Sequence, residues 1–202
     1  MEYSDIPNAF GTEGYPNQKI KPMLIQKYNP NWIKDFNDIK KAITEALINL
    51  HVPIEHVGST SVPNSAAKPI IDIDIIFDTP KEFEAIKKGL EKIGYYHNGN
   101  QGIPNREVFK RGKTETKHEI LDAITHHLYV CKSDSEALER HILFRDYLIT
   151  HEEARIEYQN IKYAIAEEAN QDKKKYAELK EEKAREFIDG IISKARKMND
   201  EV

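Results

Sequence analysis

Two acidic residues interrupt the most apolar stretch of the chain, residues 70–77. The stretch reads Ile-Ile-Asp-Ile-Asp-Ile-Ile-Phe, with Asp72 and Asp74 two positions apart. Because side chains alternate across a β-strand, the two carboxylates point to the same face, about 7 Å apart. Two partly buried carboxylates repel each other and lose hydration, which is costly unless a cation or a proton compensates. Mg²⁺ is commonly held by one or two carboxylates with water and phosphate oxygens, so the pair predicts a Mg²⁺ or Mn²⁺ site.

A turn of small residues, Gly58-Ser59-Thr60-Ser61, comes shortly before the acids. Glycine lets backbone N–H groups approach a phosphate closely, and serine adds a hydroxyl donor. Lys68 places a positive charge between the turn and the acids. We therefore expect this turn and Lys68 to bind a phosphate group beside the metal.

Each of these features also has a simpler interpretation. A Gly-Ser pair is most often only a turn, and acids in a strand more often pair with a basic side chain than with a metal. Basic residues are available for such pairs at Lys68, Arg106, Lys110 and Arg111.

The elements that must position these residues alternate between helix and strand up to about residue 132. Apolar residues at helical spacing predict a first helix over 32–50, and Thr79 with Glu82 forms a capping box that starts a second, ending at Gly94. The run 52–57 reads as a strand, and 70–77 as a strand in the middle of a covered sheet. Further strands are expected at 23–28, 95–96, 106–110 and 120–130. The start of the last is ambiguous, because 113–122 fits a loop, a strand or a short turn of helix.

The C-terminal third reads as three helices, over about 133–149, 150–170 and 172–197, opened by Ser133, Thr150 and Asp172. A mixed sheet followed by a run of helices is typical of an α+β fold. We expect a flexible N-terminal arm over 1–22, an α/β core over 23–132 and a helical subdomain over 133–197.

Composition limits the function classes. The net charge of −4 argues against a general nucleic-acid binder, while leaving room for a local basic pocket. No apolar run is long enough to span a membrane and no signal pattern opens the chain, which predicts a cytoplasmic protein without membrane partners. Because Cys131 is the single cysteine, an intramolecular disulfide is excluded.

The spacing of Gly58-Ser59 and the acids Asp72 and Asp74 resembles the signature of the nucleotidyltransferase superfamily. In that superfamily the Gly-Ser turn holds the nucleotide phosphates and the two acids hold Mg²⁺. The resemblance therefore implies a Mg²⁺-dependent site for a nucleotide or another phosphorylated small molecule, with nucleotidyl transfer to an unidentified acceptor as the reaction.

A wider resemblance, to the GrpB family, covers roughly residues 24–192. It is carried by Tyr-Asn-Pro-Asn-Trp at 28–32, His-Val-Gly-Ser-Thr-Ser-Val-Pro at 56–63, Ala-Lys-Pro-Ile-Ile-Asp-Ile at 67–73 and His-Ile-Leu-Phe-Arg-Asp-Tyr-Leu at 141–148. It implies a nucleotidyltransferase-like mixed β-sheet with flanking helices and a C-terminal helical bundle. The chain departs from the family at Asn64-Ser65, at Glu107 and at Tyr129.

Active transferases of the superfamily usually carry a third carboxylate on a neighbouring strand, often as the base that activates the attacking hydroxyl. Asp122 is the candidate for this catalytic role beside Asp72 and Asp74, and Glu107 is a second. If neither completes the site, the alternative is a non-catalytic ligand-binding or accessory module.

Four further residues are candidates for phosphate binding: Arg106, Lys110, His127 and Arg145. Arg145 has an alternative role as a salt-bridge partner of a nearby acid, and His127 as a structural histidine. The cluster of His118, His126 and His127 raises a further alternative, a histidine-dependent metal hydrolase.

Overall fold

The computed structural model describes residues 23–112 and 115–200, and its centre is a five-stranded mixed sheet. The strand order is β1-β2-β5-β4-β3, with β2 and β5 parallel and the other pairs antiparallel. The strands are β1 (Ile54–Val57), β2 (Ile71–Phe77), β3 (Tyr96–His97), β4 (Arg106–Lys110) and β5 (His126–Lys132). The α+β class is confirmed, and the arm predicted over 1–22 lies outside the described residues.

Helices flank both faces of this sheet. In the described part of the chain they are α1 (Asn31–Ala46), α2 (Pro80–Lys92), α3 (Glu119–Ala123), α4 (Glu136–Thr150), α5 (Glu152–Glu168), α6 (Lys173–Lys183) and α7 (Arg185–Asp200).

One face of β2 forms the main hydrophobic core. Ile71, Ile73 and Ile75 are fully buried and pack in one cluster with residues of α1 and α2, among them Ile39 and Leu90. Each fully buried isoleucine stabilises the fold by about 1.5 to 3 kcal/mol. This packing fixes the register of β2, so Asp72 and Asp74 must point to the opposite face.

The acids therefore face the layer formed by α4 to α7. The register places His127 beside Asp72 and Tyr129 beside Asp74, and such neighbours share a face of the sheet. The helical layer has its own apolar cluster, which includes Leu148, Tyr158 and Tyr176. A cleft opens between this layer and the acid-bearing face.

The predicted capping box of α2 is confirmed. The Glu82 backbone N–H donates to Thr79 Oγ1 (3.3 Å), and the Thr79 N–H donates to Glu82 Oε2 (3.1 Å). The helix α1 ends at Ala46, four residues earlier than expected, and Asn49 adopts a left-handed φ of +64° just beyond it.

Three other expectations are wrong in detail. Residues 23–28 form only an isolated bridge, Gln26 to Ala67, instead of a strand. The segment expected as a strand over 120–130 begins as α3, because His118 Nδ1 caps the Leu121 N–H, and the strand starts at His126. The last helix is interrupted at the fully buried Ala184, which lets α7 turn back and pack on α4.

Candidate functional site

Gly58 brings the turn into direct contact with the first acid. Its φ is +73°, and a Cβ at this position would lie 2.3 Å from Asp72 Oδ2. A side chain here would be both strained and in collision with the carboxylate. Glycine is therefore required for the backbone of the turn to lie against Asp72.

The hydroxyl groups of the turn have different roles. Ser61 Oγ donates to the Gly58 carbonyl (2.6 Å) and Thr60 Oγ1 donates to the Ile70 carbonyl (3.3 Å), so both hold the turn in place. Thr60 is buried, and with its single proton committed, its oxygen accepts from His56 Nε2 (3.1 Å). Ser59 Oγ accepts from Lys162 Nζ (3.1 Å), which leaves the Ser59 proton free for a ligand.

Each acid accepts a hydrogen bond from a histidine. His127 Nδ1 donates to Asp72 Oδ1 (2.8 Å), and His141 Nδ1, on α4, donates to Asp74 Oδ2 (2.7 Å). Asp72 is partly exposed on the cleft, whereas the side chain of Asp74 is completely buried. Asp74 Oδ1 has no hydrogen-bond partner among the described residues. In the described part of the chain, the carboxylate of Asp74 therefore has one oxygen bonded to His141 and one oxygen without a partner.

The cleft has a volume of about 440 Å³, within the range of small-molecule sites. One wall is formed by residues 58–60 of the turn with Asp72, and the other by α4, α5, α6 and α7. Aromatic rings of Phe144, Tyr158 and Tyr176 and the amines of Lys68, Lys162 and Lys180 line it. This combination suits a ligand with an anionic end and an apolar or aromatic end.

The three lysines differ in electrostatic environment. Burial, followed by the charge of Lys180, lowers the pKa of Lys162 to about 7, and the same two causes lower the pKa of Lys68. Interaction with Tyr158, and further with Tyr176 and Asp72, raises the pKa of Lys180. Lys180 therefore keeps its charge at neutral pH, while Lys162 titrates there.

The structure brings six of the predicted site residues together along the cleft: Gly58, Ser59, Thr60, Lys68, Asp72 and His127. Asp74 lies immediately behind them through its bond to His141, which lines the cleft. Ser61 supports the turn from within.

Other predicted site residues lie elsewhere. Arg145 donates hydrogen bonds to Glu55, Asp146 and the His56 carbonyl. It therefore has the salt-bridge role that was the alternative to phosphate binding. The guanidinium of Arg106 lies 4.8 Å from the centre of the Tyr129 ring, and Lys110 lines a separate cavity.

Neither candidate for the third carboxylate lies beside the acids. Asp122 accepts from the His118 backbone N–H and pairs with Arg111 (2.7 Å), and these contacts lower its pKa. Glu107 is bonded to His97 (2.6 Å). The β5 positions next to Asp72 and Asp74 are occupied by His127 and Tyr129.

The histidine cluster seen in the sequence is divided in space. His118 caps α3, and His126 contacts the Tyr95 hydroxyl (2.6 Å) and the Ile124 carbonyl (2.7 Å). Within residues 23–112 and 115–200, no three His, Cys, Asp or Glu side chains are arranged to hold a metal ion by themselves. Of the two acids, Asp72 lines the cleft, and the buried Asp74 lies behind it.

Sequence reasoning missed Lys162 and the role of His141. Lys162 lies on the buried stripe of α5 with Tyr158, Ile165 and Ala166. A charged residue on an apolar stripe at helical spacing is the signal that marks it. His141 lies in the motif at 141–148, but its partner Asp74 is 67 residues away in sequence, so no local pattern indicates the contact.

None of the described helices is both long enough and apolar enough to cross a membrane.

Comparison with known proteins places the chain in a family. A family model described as GrpB protein matches residues 22–194. The chain is 32% identical over 168 residues to UPF0157 protein YqkA of Bacillus subtilis, which covers 83% of this chain and 46% of that protein, so it spans about half of that relative. It is also 32% identical over 173 residues to the glutamate-rich protein GrpB of Alkalihalophilus pseudofirmus, covering 85% of this chain and 94% of that protein.

Among solved structures, conserved protein GrpB from Enterococcus faecalis matches with a TM-score of 0.70 at 28% identity, covering 87% of this chain and 98% of that one. The family match spans the sheet, the turn and most of the helical layer. The chain belongs to the GrpB family.

Proposed function

We propose that this protein binds a nucleotide or another phosphorylated small molecule together with one Mg²⁺ or Mn²⁺ ion, in the cleft between the Gly58–Ser61 turn and helices α5 and α6. The observation that carries the proposal is the contact of the turn with Asp72, with Lys68, Lys162 and Lys180 around the same cleft. A phosphate bound at the turn would lie beside an acid that can share a metal with it.

The acids fit one hard cation. Both offer carboxylate oxygens, the ligands that Mg²⁺ prefers, and the buried Asp74 Oδ1 lacks a partner among the residues described. This oxygen is the acceptor on Asp74 that has no competing hydrogen bond in the described part of the chain, so it is the one through which Asp74 would contact the ion. When bound, Mg²⁺ neutralises the acids and polarises a phosphate oxygen.

The residues of the chain would then orient the ligand. Ser59 is poised to donate its hydroxyl proton to a phosphate, and Lys68 and Lys180 balance the phosphate charge. The rings of Tyr158 and Tyr176 provide apolar surface for the remainder of the ligand. A cytoplasmic location, where nucleotides are abundant, is part of this proposal.

Two functions fit this site, nucleotidyl transfer and ligand binding without catalysis. Transfer of a nucleotidyl group to an acceptor hydroxyl is the reaction of the superfamily that the turn and acids resemble. A non-catalytic binding module is favoured by the neighbours of the two acids. The β5 positions beside them carry His127 and Tyr129. On β1, Glu55 lies opposite Asp74 but is paired with Arg145. Asp122 and Glu107 are bonded to other partners and do not supply the third carboxylate.

Calorimetric titration with the four nucleoside triphosphates, with and without Mg²⁺ or Mn²⁺, tests the proposal. We expect at least one nucleotide to bind with metal and to lose the metal dependence in Asp72→Asn. The matched control is Asp122→Asn, which removes a carboxylate outside the cleft and is expected to bind as the wild type does. Failure of every nucleotide to bind the wild type, or equal metal dependence in both variants, would contradict the proposal.

Release of pyrophosphate from a bound nucleotide separates the two functions. Pyrophosphate release that is lost in Asp72→Asn assigns transferase chemistry, whereas binding without release assigns the accessory module. Zn²⁺ retained by the purified protein, with hydrolysis of a phosphate ester, would instead support the histidine-dependent hydrolase.

A further inference from the structure

Lys162, on α5, is the most deeply buried basic residue in the described part of the chain, with only 2% of its surface exposed. Its Nζ donates to Ser59 Oγ (3.1 Å), to Ser65 Oγ (3.2 Å) and to the Ala66 carbonyl. The same nitrogen lies 4.5 Å from the centre of the Tyr158 ring, a contact that favours a cation. These three acceptors use all three protons of an ammonium group.

The charge of Lys162 has no counterion within the described part of the chain. Its three acceptors are neutral oxygens, and the charged group that acts on it most is another cation, Lys180. Lys68 lines the same cleft. Because buried charges are normally paired, the missing partner is expected to be a ligand. Three amines around one cleft match a ligand that carries more than one negative charge, which is the chemical class of a phosphate chain.

We propose that Lys162 is a positioning residue, which presents the Ser59 hydroxyl to the phosphate chain of a di- or triphosphate. The protonated amine donates to Ser59 Oγ, so the Ser59 proton must point to another acceptor, the ligand. The neutral amine has a lone pair that accepts the Ser59 proton and withdraws this donor from the ligand. The inference rests on the proposed phosphate site at Gly58 and Ser59.

Protonation of Lys162 and ligand binding are therefore coupled. Burial and Lys180 hold the pKa of Lys162 near 7 without a ligand, and a bound anion raises that pKa by its opposite charge. The other titratable or charged groups that surround the amine or line the same cleft come from every element around it. They are Tyr158 on its own helix, Tyr176 and Lys180 on α6, Lys68 before β2, Asp72 on β2, His127 and Tyr129 on β5, and Arg140 and His141 on α4. We expect the ligand to bind more tightly below pH 7 and to bring a proton with it above pH 7.

The test uses inorganic tripolyphosphate without metal, titrated calorimetrically at pH 6 and pH 8 in buffers of different ionisation enthalpy. At pH 8 the wild type is expected to take up close to one proton more per bound tripolyphosphate than Lys162→Met. The ratio of its dissociation constants at pH 8 and pH 6 should exceed that of the variant by about tenfold. Comparison with the variant cancels the ionisation of the probe itself.

Lys68→Met is the matched control. It removes a second amine from the same cleft, and Lys68 is not among the groups that lower the pKa of Lys162. We expect it to weaken tripolyphosphate binding at both pH values while the proton uptake persists. Lys162→Arg, which stays charged, is expected to bind without taking up a proton.

A measurement on the wild type keeps the test decisive if the Lys162 variants do not fold. In protein labelled with [¹³C]lysine, one Cε resonance should titrate near pH 7 and move to a higher midpoint when tripolyphosphate is added. The inference is overturned if the wild type does not bind tripolyphosphate, if proton uptake is the same in Lys162→Met, or if no lysine titrates below about pH 9.

These results separate the inference from the proposed function. Lysine-dependent proton uptake with tripolyphosphate supports the role of Lys162 even if no nucleotide binds with Mg²⁺. Nucleotide binding with Mg²⁺ but without this proton uptake contradicts the role of Lys162 alone.

Discussion

Gly58 determines the geometry of the cleft, because any side chain at this position would collide with Asp72. Gly58→Ala adds a Cβ in the left-handed region and 2.3 Å from Asp72 Oδ2, so the carboxylate must move. The Gly58 backbone (φ +73°, ψ −175°) lies in a region that essentially only glycine adopts. We therefore expect the free energy of unfolding to fall by about 1 to 3 kcal/mol from backbone strain, and metal-dependent ligand binding to be lost. Urea unfolding and calorimetry measure the two effects.

Gly99→Ala separates the two causes. Gly99 has a similar φ of +69°, but a Cβ there meets nothing within 4 Å. This variant should lose free energy of unfolding because of its positive φ, and bind ligand normally. Equal loss of binding in both variants would show that strain, and not contact with Asp72, controls the site.

His56 gives the protein a pH-dependent stability. Burial against the Phe36 ring, 4.6 Å away, lowers the pKa of His56 to about 4. The unfolded chain therefore binds a proton below pH 6.5 that the folded protein does not, so stability falls as the pH drops from 6.5 toward 4. At about 1.4 kcal/mol per pH unit, this loss reaches roughly 3 kcal/mol.

The control variant is His56→Gln, whose amide can still donate a hydrogen bond to Thr60 but does not titrate. Urea unfolding at pH 7 and pH 4.5 should show that the wild type loses about 2 to 3 kcal/mol more than the variant. Other titrating groups, including His126, are common to both proteins and cancel. Identical losses would mean that His56 is protonated in the folded state.

Some of these residues were predictable from the sequence and others were not. The spacing of Gly58, Ser59, Asp72 and Asp74 identified the turn and the acids, because the conflict between charge and an apolar strand is local. Lys162 was not identified, because a lysine in a charged C-terminal region has many equivalent neighbours. Its importance comes from burial and from Ser59, 103 residues earlier in sequence.

Among the secondary-structure elements, α6 is held at its start by the capping residue Asp172. It is a polar helix in which Tyr176 is the buried residue, and Asp172 caps it by accepting from the backbone N–H groups of Lys174 and Lys175. Asp172→Ala is expected to cost about 1 kcal/mol and to weaken phosphate binding, because α6 carries Lys180 into the cleft.

Thr79→Ala provides the control at this scale. It removes the cap of α2, which packs on the opposite face of the sheet, at a similar cost of about 1 kcal/mol. Hydrogen exchange should become faster in α6 for the first variant and in α2 for the second. If both variants weaken tripolyphosphate binding equally, general stability and not the position of α6 controls the cleft.

The elements themselves were predicted well where local signals agree. The capping box at Thr79, the strand β4 and the central strand β2 appear where the sequence places them. The errors occur where tertiary contacts decide, as at α3, which uses His118 as its cap inside a run of apolar residues that reads as a strand. The break at Ala184 likewise reflects the return of α7 onto α4.

At the scale of the whole molecule, the candidate site is a product of two layers. The sheet contributes the turn and the acids, and the helical layer contributes Lys162, Lys180 and the aromatic wall. The sequence predicted both layers but not the cleft between them, because their side chains meet only through contacts distant in sequence. A ligand bound between the layers stabilises the folded protein. The free energy of unfolding rises by about 2.7 kcal/mol when the ligand concentration is one hundred times the dissociation constant.

The central claim is that a phosphorylated ligand and one metal ion bind together at Asp72. A crystal structure with Mn²⁺ and a non-hydrolysable nucleoside triphosphate analogue tests it most directly, because Mn²⁺ is located by its anomalous scattering. We predict one Mn²⁺ coordinated by Asp72 and a phosphate oxygen, with the phosphate chain against Gly58, Ser59 and the lysines of the cleft. A nucleotide bound elsewhere, or Mn²⁺ located away from Asp72, would contradict the account.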